Sequence, residues 1–350
     1  MSIQTDVVII GAGPCGLFQV FELGLLGIRA HLVDALPAPG GQCTELYPDK
    51  PIYDIPAYPV IGAQELVDKL MQQIAHFEPQ FHLGQQVTEV KPLDGQGFYV
   101  KTSAGTEFNA RAVVIAAGVG AFQPVTVKVD GIDKFENTQL FYRVKDPALH
   151  HGKHVVVLGG GDSALDWTLA LADKVASMTL IHRSDAFRAQ QASVDKMKAL
   201  AAAGKLRFLP GHLHGFTEDG GRLTGLKLTG LDNAEHVVPV EHLLAFYGLS
   251  PKLGPIAEWG LSLNKHQINV DTEKFETNVP GIYAVGDINY YPGKKKLILS
   301  GFHEAALAAF AIKARLNPGE KVHLQYTTTS PLMHQRLGVA HHTKAEGHSH

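Results

Sequence analysis

The sequence has few cysteines and almost no excess of charge. Its two cysteines, Cys15 and Cys43, are too few for a secreted disulfide scaffold or a cysteine-rich metal site. The 34 acidic and 31 basic side chains leave a net charge of −3, which excludes the general electrostatic footprint of a nucleic-acid-binding protein. With 45% hydrophobic and 19% charged residues in 350, the composition is that of a globular protein of about two domains.

Long hydrophobic runs and targeting signals are lacking as well. The sequence has no uninterrupted run of 18 apolar residues, so we expect no membrane span. A buried strand follows the first few residues without a charged segment or a cleavage site, so we expect no secretory signal and a cytoplasmic protein. The histidine-rich tail at 341–350 has no fixed ligand spacing. We interpret it as a flexible terminus, with metal binding as the alternative.

Glycine, in contrast, is abundant, with 36 residues, and the first glycine-rich turn lies close to the N-terminus. A predicted buried strand at 6–10 leads into Gly-Ala-Gly-Pro-Cys-Gly at 11–16. A helix to about residue 26 and a second strand at 30–34 follow. A glycine-rich turn between a strand and a helix, closed by another strand, predicts a βαβ dinucleotide-binding unit.

The same pattern occurs a second time. A strand at 154–158 leads into Gly-Gly-Gly-Asp-Ser-Ala at 159–164, then a helix to about residue 172 and a strand at 178–183. The interval from the first glycine to the tip of the second strand is 23 residues in both copies. The alternative, ordinary glycines in two strand–turn–helix connections, does not account for two copies with one spacing. The sequence therefore predicts two nucleotide sites.

Each small residue of these turns has a separate task. The first glycine makes the tight turn, the second lets the backbone approach a pyrophosphate, and the third small residue lets the helix pack on the strand. The pyrophosphate then lies at the N–H groups and the positive dipole end of the helix. The candidate nucleotide-binding residues are Gly11, Gly13, Pro14 and Gly16 in the first copy and Gly159, Gly161, Asp162, Ser163 and Ala164 in the second.

The residue at the tip of the second strand separates the two ligands. Asp34 can accept hydrogen bonds from two ribose hydroxyls, and its charge repels a 2′-phosphate. The second copy has His182 there, followed by Arg183 and Arg188, whose guanidinium groups can pair with a phosphate. We therefore assign a ligand with an unmodified ribose to the first site and NADP to the second. The alternative for the two arginines is a solvated charge pair at a strand end.

Three further segments carry a family resemblance. They are Gly-Gly-Gln at 40–42 with Tyr47, Val-Val-Ile-Ala-Ala-Gly at 113–118, and Pro-Gly-Ile-Tyr-Ala-Val-Gly-Asp at 280–287. With the two turns, they make the chain resemble the two-dinucleotide flavoprotein disulfide reductases, most closely the thioredoxin reductases. The resemblance implies an α/β fold of two Rossmann-like three-layer dinucleotide-binding domains, the second inserted into the first. We expect residues 1–124 and 248–350 to bind FAD, and 125–247 to bind NADPH.

One feature of the thioredoxin reductases is missing. They carry a Cys-x-x-Cys shortly before the second glycine motif, whereas residues 135–143 contain no cysteine. Cys15 and Cys43 fit no redox pair of known spacing, and we interpret both as small buried side chains. The chain therefore resembles more closely the thioredoxin-reductase-like ferredoxin–NADP reductases, a cytosolic and usually homodimeric bacterial family. A disulfide reductase using an external dithiol and a flavin/NADP sensor without rapid turnover remain as alternatives.

This resemblance implies specific FAD contacts and a reaction. The FAD contacts fall on Asp34, Gln42, Tyr47, Val87, Phe122, Asp287 and Thr328. NADPH would give a hydride to flavin N5, and the electrons would then pass singly to ferredoxin or flavodoxin, with no side chain as nucleophile or base. Tyr47 is the candidate to cover one flavin face, with an exposed aromatic residue as the alternative, and Tyr326 in the tail is the candidate for the opposite face.

The electron carrier should dock on basic side chains, because ferredoxins and flavodoxins are acidic. Lys294, Lys295 and Lys296 follow the late FAD motif closely and are the docking candidates, with a merely solvated run as the alternative. Within the inserted domain, residues 222–230 and 236–246 are each predicted to form one strand.

Overall fold

The computed structural model describes residues 2–48, 50–94 and 97–339, except for the side chains of 121–123 and 249–251. The chain divides into two compact units, Met1–Ala121 with Pro251–His350 and Phe122–Ser250. The histidine-rich tail at 341–350 lies outside the described residues. Of the helices in the described ranges, none combines the length and apolar character that crossing a bilayer requires.

The first unit is built from two separate parts of the chain. Its N-terminal part contains strands β1 (Ile3–Ile10), β2 (Ala30–Val33), β3 (Pro51–Ile52), β4 (Ile61–Gly62), β5 (Gln80–His82), β6 (Val87–Pro92), β7 (Phe98–Thr102) and β8 (Glu107–Ile115), and helices α1 (Pro14–Leu25), α2 (Gln42–Glu45) and α3 (Ala63–Ile74). The two connecting segments carry β9 (Ala121–Pro124) and, after the second unit, β17 (Leu249–Lys252).

The second unit and the C-terminal part of the first complete the structure. The second unit contains β10 (Leu140–Phe141), β11 (His154–Leu158), α4 (Asp162–Leu171), β12 (Ser177–His182), α5 (Gln191–Ala202), β13 (Arg207–Asp219), β14 (Arg222–Gly230), β15 (Glu235–Pro239) and β16 (His242–Ala245). The C-terminal part contains β18 (Leu263–Asn264), β19 (Gln267–Asn269), β20 (Ile282–Ala284), β21 (Asn289–Tyr290), α6 (Ile298–Leu316) and α7 (Pro331–Arg336).

A parallel sheet forms the centre of the first unit, in the order β5-β2-β1-β8-β20. Ile10 lies opposite both Val33 and Ile115, so the carboxyl ends of three strands meet at one edge. The first half of β8 also pairs with β7 in an antiparallel meander with β6. Because both faces of β1 are covered, alternate residues enter two separate cores: Val7 and Ile9 on the helical side, and the intervening residues on the meander side.

The second unit repeats the parallel sheet with different edges. Its order is β10-β16-β11-β12-β13, and the long β13 continues into an antiparallel sheet with β14 and β15. The prediction of one strand over 236–246 was wrong. β15 pairs with β14, whereas β16 enters the parallel sheet beside β11. The change of neighbour falls between two consecutive residues, because Val240 N–H still donates to the Thr224 carbonyl of β14 and Glu241 N–H donates to the His154 carbonyl of β11.

Both glycine turns stand at the carboxyl ends of central parallel strands. β1 ends at Ile10 and α1 begins at Pro14, and β11 ends at Leu158 and α4 begins at Asp162. Pro14 is compatible with the first helical position because that N–H has no partner within the helix. The edge of an open α/β sheet at which such turns meet is the usual ligand position.

A pair of buried histidines lies in the second unit. His150 and His242 are 1% and 8% exposed, their Nδ1 atoms are 3.0 Å apart, and Phe141 packs edge-on against both rings. Burial, and then the neighbouring His242, lowers the pKa of His150 to about 4. Burial also lowers the pKa of His242. Neither ring is charged at neutral pH in the folded protein.

We expect this pair to make the protein less stable as the pH falls from about 6.5 towards 4, because the unfolded histidines bind protons in this range and the folded ones do not. Between about pH 7 and pH 5, the loss of unfolding free energy should be smaller in His150→Leu/His242→Leu than in the wild type, by about 2 kcal/mol. Chemical denaturation of the full-length protein at each pH measures this. The exposed His151→Leu is the control, and an unchanged pH dependence in the double variant would contradict the assignment.

Candidate functional site

The first glycine turn is closely packed at two positions and open at a third. Gly11 has φ +110°, and a Cβ there would collide with the Ala116 carbonyl oxygen. A Cβ at Gly16 would collide with the Gly11 carbonyl oxygen. At Gly13, in contrast, the nearest atom to a Cβ would be Gly41 Cα, at 4.0 Å. The turn therefore leaves a space next to the N-terminus of α1 that fits a pyrophosphate.

Asp34 is fixed at the tip of β2 by two backbone donors. Ala12 N–H donates to its Oδ2 over 2.6 Å, and Leu36 N–H donates to its Oδ1 over 2.8 Å. Burial raises the pKa of Asp34, and these two hydrogen bonds oppose the rise. Each carboxylate oxygen keeps a further lone pair. The arrangement can accept the two hydroxyls of a ribose while the same carboxylate holds the glycine turn.

The segment after Asp34 returns to the same turn. Gly40 N–H donates to the Ala12 carbonyl over 2.8 Å, and Gly41, with φ +58°, leads into α2. Gln42 begins this helix, and its Nε2 lies 3.5 Å from the position of a Cβ on Gly118. The structure therefore brings Gln42 to the edge of the sheet where the first glycine turn lies.

Tyr47 is half-buried and packs against the core on the helical side of the first sheet. Its hydroxyl lies 3.8 Å from Cys43 Sγ, and burial raises the pKa of Tyr47 well above its usual range. The alternative of a surface aromatic residue is therefore wrong for Tyr47.

The late motif reaches the first turn through Cys15. β20 pairs with the end of β8, and Gly286 follows with φ +78°. A Cβ on Gly286 would lie 3.1 Å from Cys15 Sγ, so the turn at 286–288 is in contact with the start of α1. Burial raises the pKa of Asp287, whereas Lys294 and Lys296 lower it. Asp287 is thus a half-buried carboxylate beside the pyrophosphate space.

The remaining FAD candidates differ in position. Val87 is buried at the start of β6, just after Gln85, whose N–H donates to the Asp34 carbonyl over 2.9 Å. The side chain of Phe122 is outside the described residues. Thr328 is exposed in a turn before α7.

The tail is anchored away from the first turn. Arg336 on α7 donates to the Leu25 carbonyl at the C-terminal end of α1, about 18 Å along the helix from the glycine turn. Tyr326 is 66% exposed. These contacts do not bring Thr328 or Tyr326 to the FAD candidates of the same chain.

Both thiols are held in their protonated form. Burial, followed by the nearby charges of Asp287 and Glu304, raises the pKa of Cys15 to about 12. Burial also raises the pKa of Cys43. Neither cysteine is in a disulfide, and neither is a reactive thiolate. In the described ranges, no group of three or more His, Cys, Asp or Glu side chains could hold a metal ion.

The second glycine turn, like the first, is closely packed at two positions and open at a third. Gly159 has φ +139°, and a Cβ there would press on the Phe246 carbonyl oxygen. A Cβ on Gly160 would collide with the His182 ring, whereas a Cβ on Gly161 would meet no atom within 4 Å. Ala164 is fully buried under the turn, and Ser163 is exposed one residue before it. Gly161 therefore leaves the open space at the N-terminus of α4.

His182 organises the loop that carries the two arginines. Its Nε2 lies 3.2 Å from the Ala186 carbonyl oxygen, and its ring packs on Phe187. Burial lowers the pKa of His182, so the ring is neutral. Arg188 N–H donates to the Gly160 carbonyl over 2.9 Å, which ties the loop to the glycine turn.

Asp162 and the arginines complete this loop. Asp162 Oδ1 accepts the Gln190 N–H over 2.9 Å. The side chains of Arg183 and Arg188 are exposed, and they have no ion-pair partner in the part of the chain that the structure describes.

A cavity of about 440 Å³ joins these residues within the second unit. Gly159, Gly160, His182, Arg183 and Arg188 all line it, so the structure brings together the predicted turn and the predicted phosphate ligands. Its volume is in the range of ordinary ligand sites, and the guanidinium groups make it suited to an anion.

Sequence reasoning missed four further polar residues that line this cavity: Thr126, Lys128, His212 and Tyr247. They come from the segment after β9, from β13 and from the segment after β16. No motif in the sequence links them to the glycine turn. Only Lys128, a cation a few residues after the predicted domain boundary, offered a signal.

Two relatives of similar length bear the same name. The chain is 62% identical over 336 residues to ferredoxin–NADP reductase 2 of Cupriavidus necator, covering 96% of this chain and 91% of the relative. It is 59% identical over 341 residues to the ferredoxin–NADP reductase of a Polaromonas species, covering 96% and 93%.

Solved structures show the same fold at low sequence identity. Thioredoxin reductase from T. acidophilum matches with a TM-score of 0.73 and 24% identity, covering 89% of this chain and 98% of that one. Bacillithiol disulfide reductase from Staphylococcus aureus matches with a TM-score of 0.74 and 18% identity, covering 89% and 99%. The prediction of an α/β fold with two Rossmann-like parts is confirmed.

The family model of the pyridine nucleotide-disulphide oxidoreductases matches residues 5–312, from the first strand to within α6. The match includes both glycine turns, Asp34, the arginine loop and the late motif. The resemblance inferred from the sequence is confirmed: the chain belongs to the pyridine nucleotide-disulphide oxidoreductase family.

Proposed function

We propose that this protein is an FAD-dependent ferredoxin–NADP reductase, which transfers electrons between NADPH and a one-electron carrier, ferredoxin or flavodoxin. One observation carries the proposal: two nucleotide cradles, one ending in a carboxylate and one in two guanidinium groups, occur in a chain whose two thiols are free of disulfides and protonated. The relatives at about 60% identity that bear this name support it.

FAD belongs to the first unit. Asp34 is placed to accept the adenosine ribose, Gly13 leaves space for the pyrophosphate, and Asp287 faces the same region from the late motif. We assign FAD binding to residues 1–124 and 248–350. Gln42 and Tyr47 lie on the segment that returns to the turn, and Tyr47 would cover one face of the flavin ring.

NADPH belongs to the second unit, residues 125–247. The cavity next to Gly161 takes the pyrophosphate at the N-terminus of α4, and Arg183 and Arg188 pair with the 2′-phosphate. Lys128 and His212 line the same cavity and add hydrogen-bond donors to it. Asp162 supports this site indirectly, because its Oδ1 accepts the Gln190 N–H just after the two arginines.

The chain supplies position and surroundings rather than an acid or a base. When bound, FAD would supply a group that can take up a hydride from NADPH and release electrons one at a time, which the side chains of this protein do not supply. The glycine turns and Asp34 would hold the nucleotides, and the half-buried Tyr47 would keep water away from the ring. Because Cys15 and Cys43 stay protonated, no dithiol relays the electrons.

The docking surface is smaller than the sequence suggested. The side chain of Lys294 is 3% exposed and forms an ion pair with buried Glu304, so Lys294 cannot meet a partner protein. Lys295 and Lys296 are exposed, and Lys296 is close enough to Asp287 to lower its pKa. We assign docking of the acidic carrier to these two lysines. A homodimer and a cytoplasmic location stay predictions.

Anaerobic mixing tests the proposal directly. The purified protein should be yellow, NADPH should bleach it, and oxidised ferredoxin should then restore the colour while its iron–sulfur centre is reduced. Because a dithiol mechanism needs two thiols, Cys43→Ala should keep the rate of ferredoxin reduction within about threefold of the wild type. A colourless protein, or a turnover that alkylation of thiols abolishes, would refute the proposal.

The arginine loop should decide between NADPH and NADH. Arg183→Ala/Arg188→Ala removes two charge-assisted contacts and should raise the Kd for NADPH about a hundredfold, with little change for NADH. Fluorescence titration with both nucleotides measures this. The exposed Arg222→Ala is the matched control, and equal losses for the two nucleotides would show that the loop does not bind the 2′-phosphate.

Reversing the two docking charges should weaken the carrier complex only. Lys295→Glu/Lys296→Glu should raise the apparent KM for ferredoxin about tenfold at low salt and flatten its salt dependence. Lys295→Glu alone, which leaves the Lys296 charge near Asp287 in place, should change neither the FAD content nor the rate of reduction by NADPH. Lys196→Glu/Lys198→Glu, with the same charge change on α5, is the control. Unchanged ferredoxin kinetics would remove this surface from the mechanism.

A further inference from the structure

A carboxylate is completely buried on α6. Glu304 is 0% exposed, and its ion-pair partner Lys294 has a side chain that is 3% exposed. Two buried charges are costly unless hydrogen bonds satisfy both of them, and a purely structural position is usually filled by apolar residues. The pair therefore requires an explanation beyond packing.

All four donors to this carboxylate come from one segment, residues 286–294. Gly286 N–H and Asn289 Nδ2 donate to Oε2 over 2.7 and 2.8 Å. The Tyr291 hydroxyl donates to Oε1 over 3.0 Å, and Lys294 Nζ pairs with the same oxygen. A single side chain thus holds the whole segment that follows β20 against α6.

The first of these bonds fixes the residue next to Asp287. Gly286 has φ +78°, a conformation that glycine adopts without steric cost, and Glu304 accepts its N–H. Gln267 Nε2 donates to the Asp287 carbonyl over 3.2 Å from the other side. The backbone of Asp287 is therefore held before and after its Cα, which determines where its carboxylate points.

The same contact reaches the first glycine turn. A Cβ on Gly301, one turn before Glu304 in α6, would lie 3.2 Å from Gly286 Cα and would collide with Cys15 Sγ. The segment cannot move towards α6 without displacing Cys15 in the first turn. A loss of the Glu304 contacts would thus change both the turn that carries Asp287 and the first glycine turn, which border the pyrophosphate space.

We propose that Glu304 is a positioning residue for FAD: its carboxylate sets the conformation of the Gly286–Asp287 turn, and Lys294 pairs with that carboxylate from the same segment. The inference rests on the proposed function, because it takes FAD as the ligand that Asp287 faces. It gives Lys294 an internal role, in contrast to its exposed neighbours Lys295 and Lys296.

Two double variants separate positioning from charge. Glu304→Gln/Lys294→Met removes both charges but keeps an acceptor for Gly286 N–H, whereas Glu304→Leu/Lys294→Met keeps none. FAD is titrated into each apoprotein and followed by its fluorescence, and the Tm of each apoprotein is recorded. We expect the glutamine variant to bind FAD nearly as the wild type does, and the leucine variant to bind about tenfold more weakly.

Glu276→Gln is the matched control. Glu276 also accepts a backbone N–H of the late motif, that of Gly281 over 2.7 Å, but at the start of β20 and away from Asp287. Its FAD affinity should equal that of the wild type. A leucine double variant that binds FAD like the wild type would overturn the inference, and so would two double variants that are equally weakened.

Glu304→Asp keeps the inference testable if the leucine variant does not fold. It retains both charges but draws the carboxylate back by one methylene from Gly286 N–H. FAD binding should weaken about tenfold, and an unchanged Kd would overturn the inference. A wild-type apoprotein that takes up no FAD would instead refute the proposed function, so the two failures are distinguishable.

Discussion

Nucleotide binding in this protein depends on two glycine turns whose backbone lies closer to neighbouring backbone than a Cβ would allow. At Gly11 and Gly159, a Cβ would strike the carbonyl oxygen of a neighbouring segment. A Cβ on Gly16, in the first turn of α1, would strike the Gly11 carbonyl oxygen. These contacts bring the N-termini of α1 and α4 to the ends of their strands, where unpaired N–H groups and the helix dipole favour an anion. The open spaces at Gly13 and Gly161 exist because their neighbours are packed so closely.

Two copies of one backbone pattern acquire different ligands through a few charged side chains. In the first unit, Asp34 accepts the Ala12 N–H, and in the proposed function it would also accept the hydroxyls of a ribose. In the second unit, the equivalent His182 is neutral and contacts the loop that follows it. The charge in this loop is carried by the exposed Arg183 and Arg188. The strand ends are similar, so in the proposed function the selectivity would come from the electrostatics of the loops that follow them.

The sequence was sufficient for the repeat, because a glycine turn, its flanking elements and its spacing are local. The relation of Asp34, the arginines and the late motif to these turns could also be predicted. The division of 236–246 into two strands could not, since it depends on which neighbour each half pairs with. Lys294 was misassigned for a similar reason: its burial requires Glu304, ten residues away on a helix that the pattern alone does not orient. Lys128 and His212 meet in the second cavity only through tertiary packing.

The pairing of β20 with β8 has a consequence for how the chain is made. Val113 lies opposite Ile282, and the whole second unit is synthesised between them. Most contacts of the second unit lie within one continuous stretch, so it can fold on the ribosome while the first unit still lacks a strand and its long helix α6. Closing that loop is the slow, entropically costly step. The synthesis of the first unit begins before that of the second, yet the first unit is completed last, and a truncated nascent chain would expose the unpaired edge of β8.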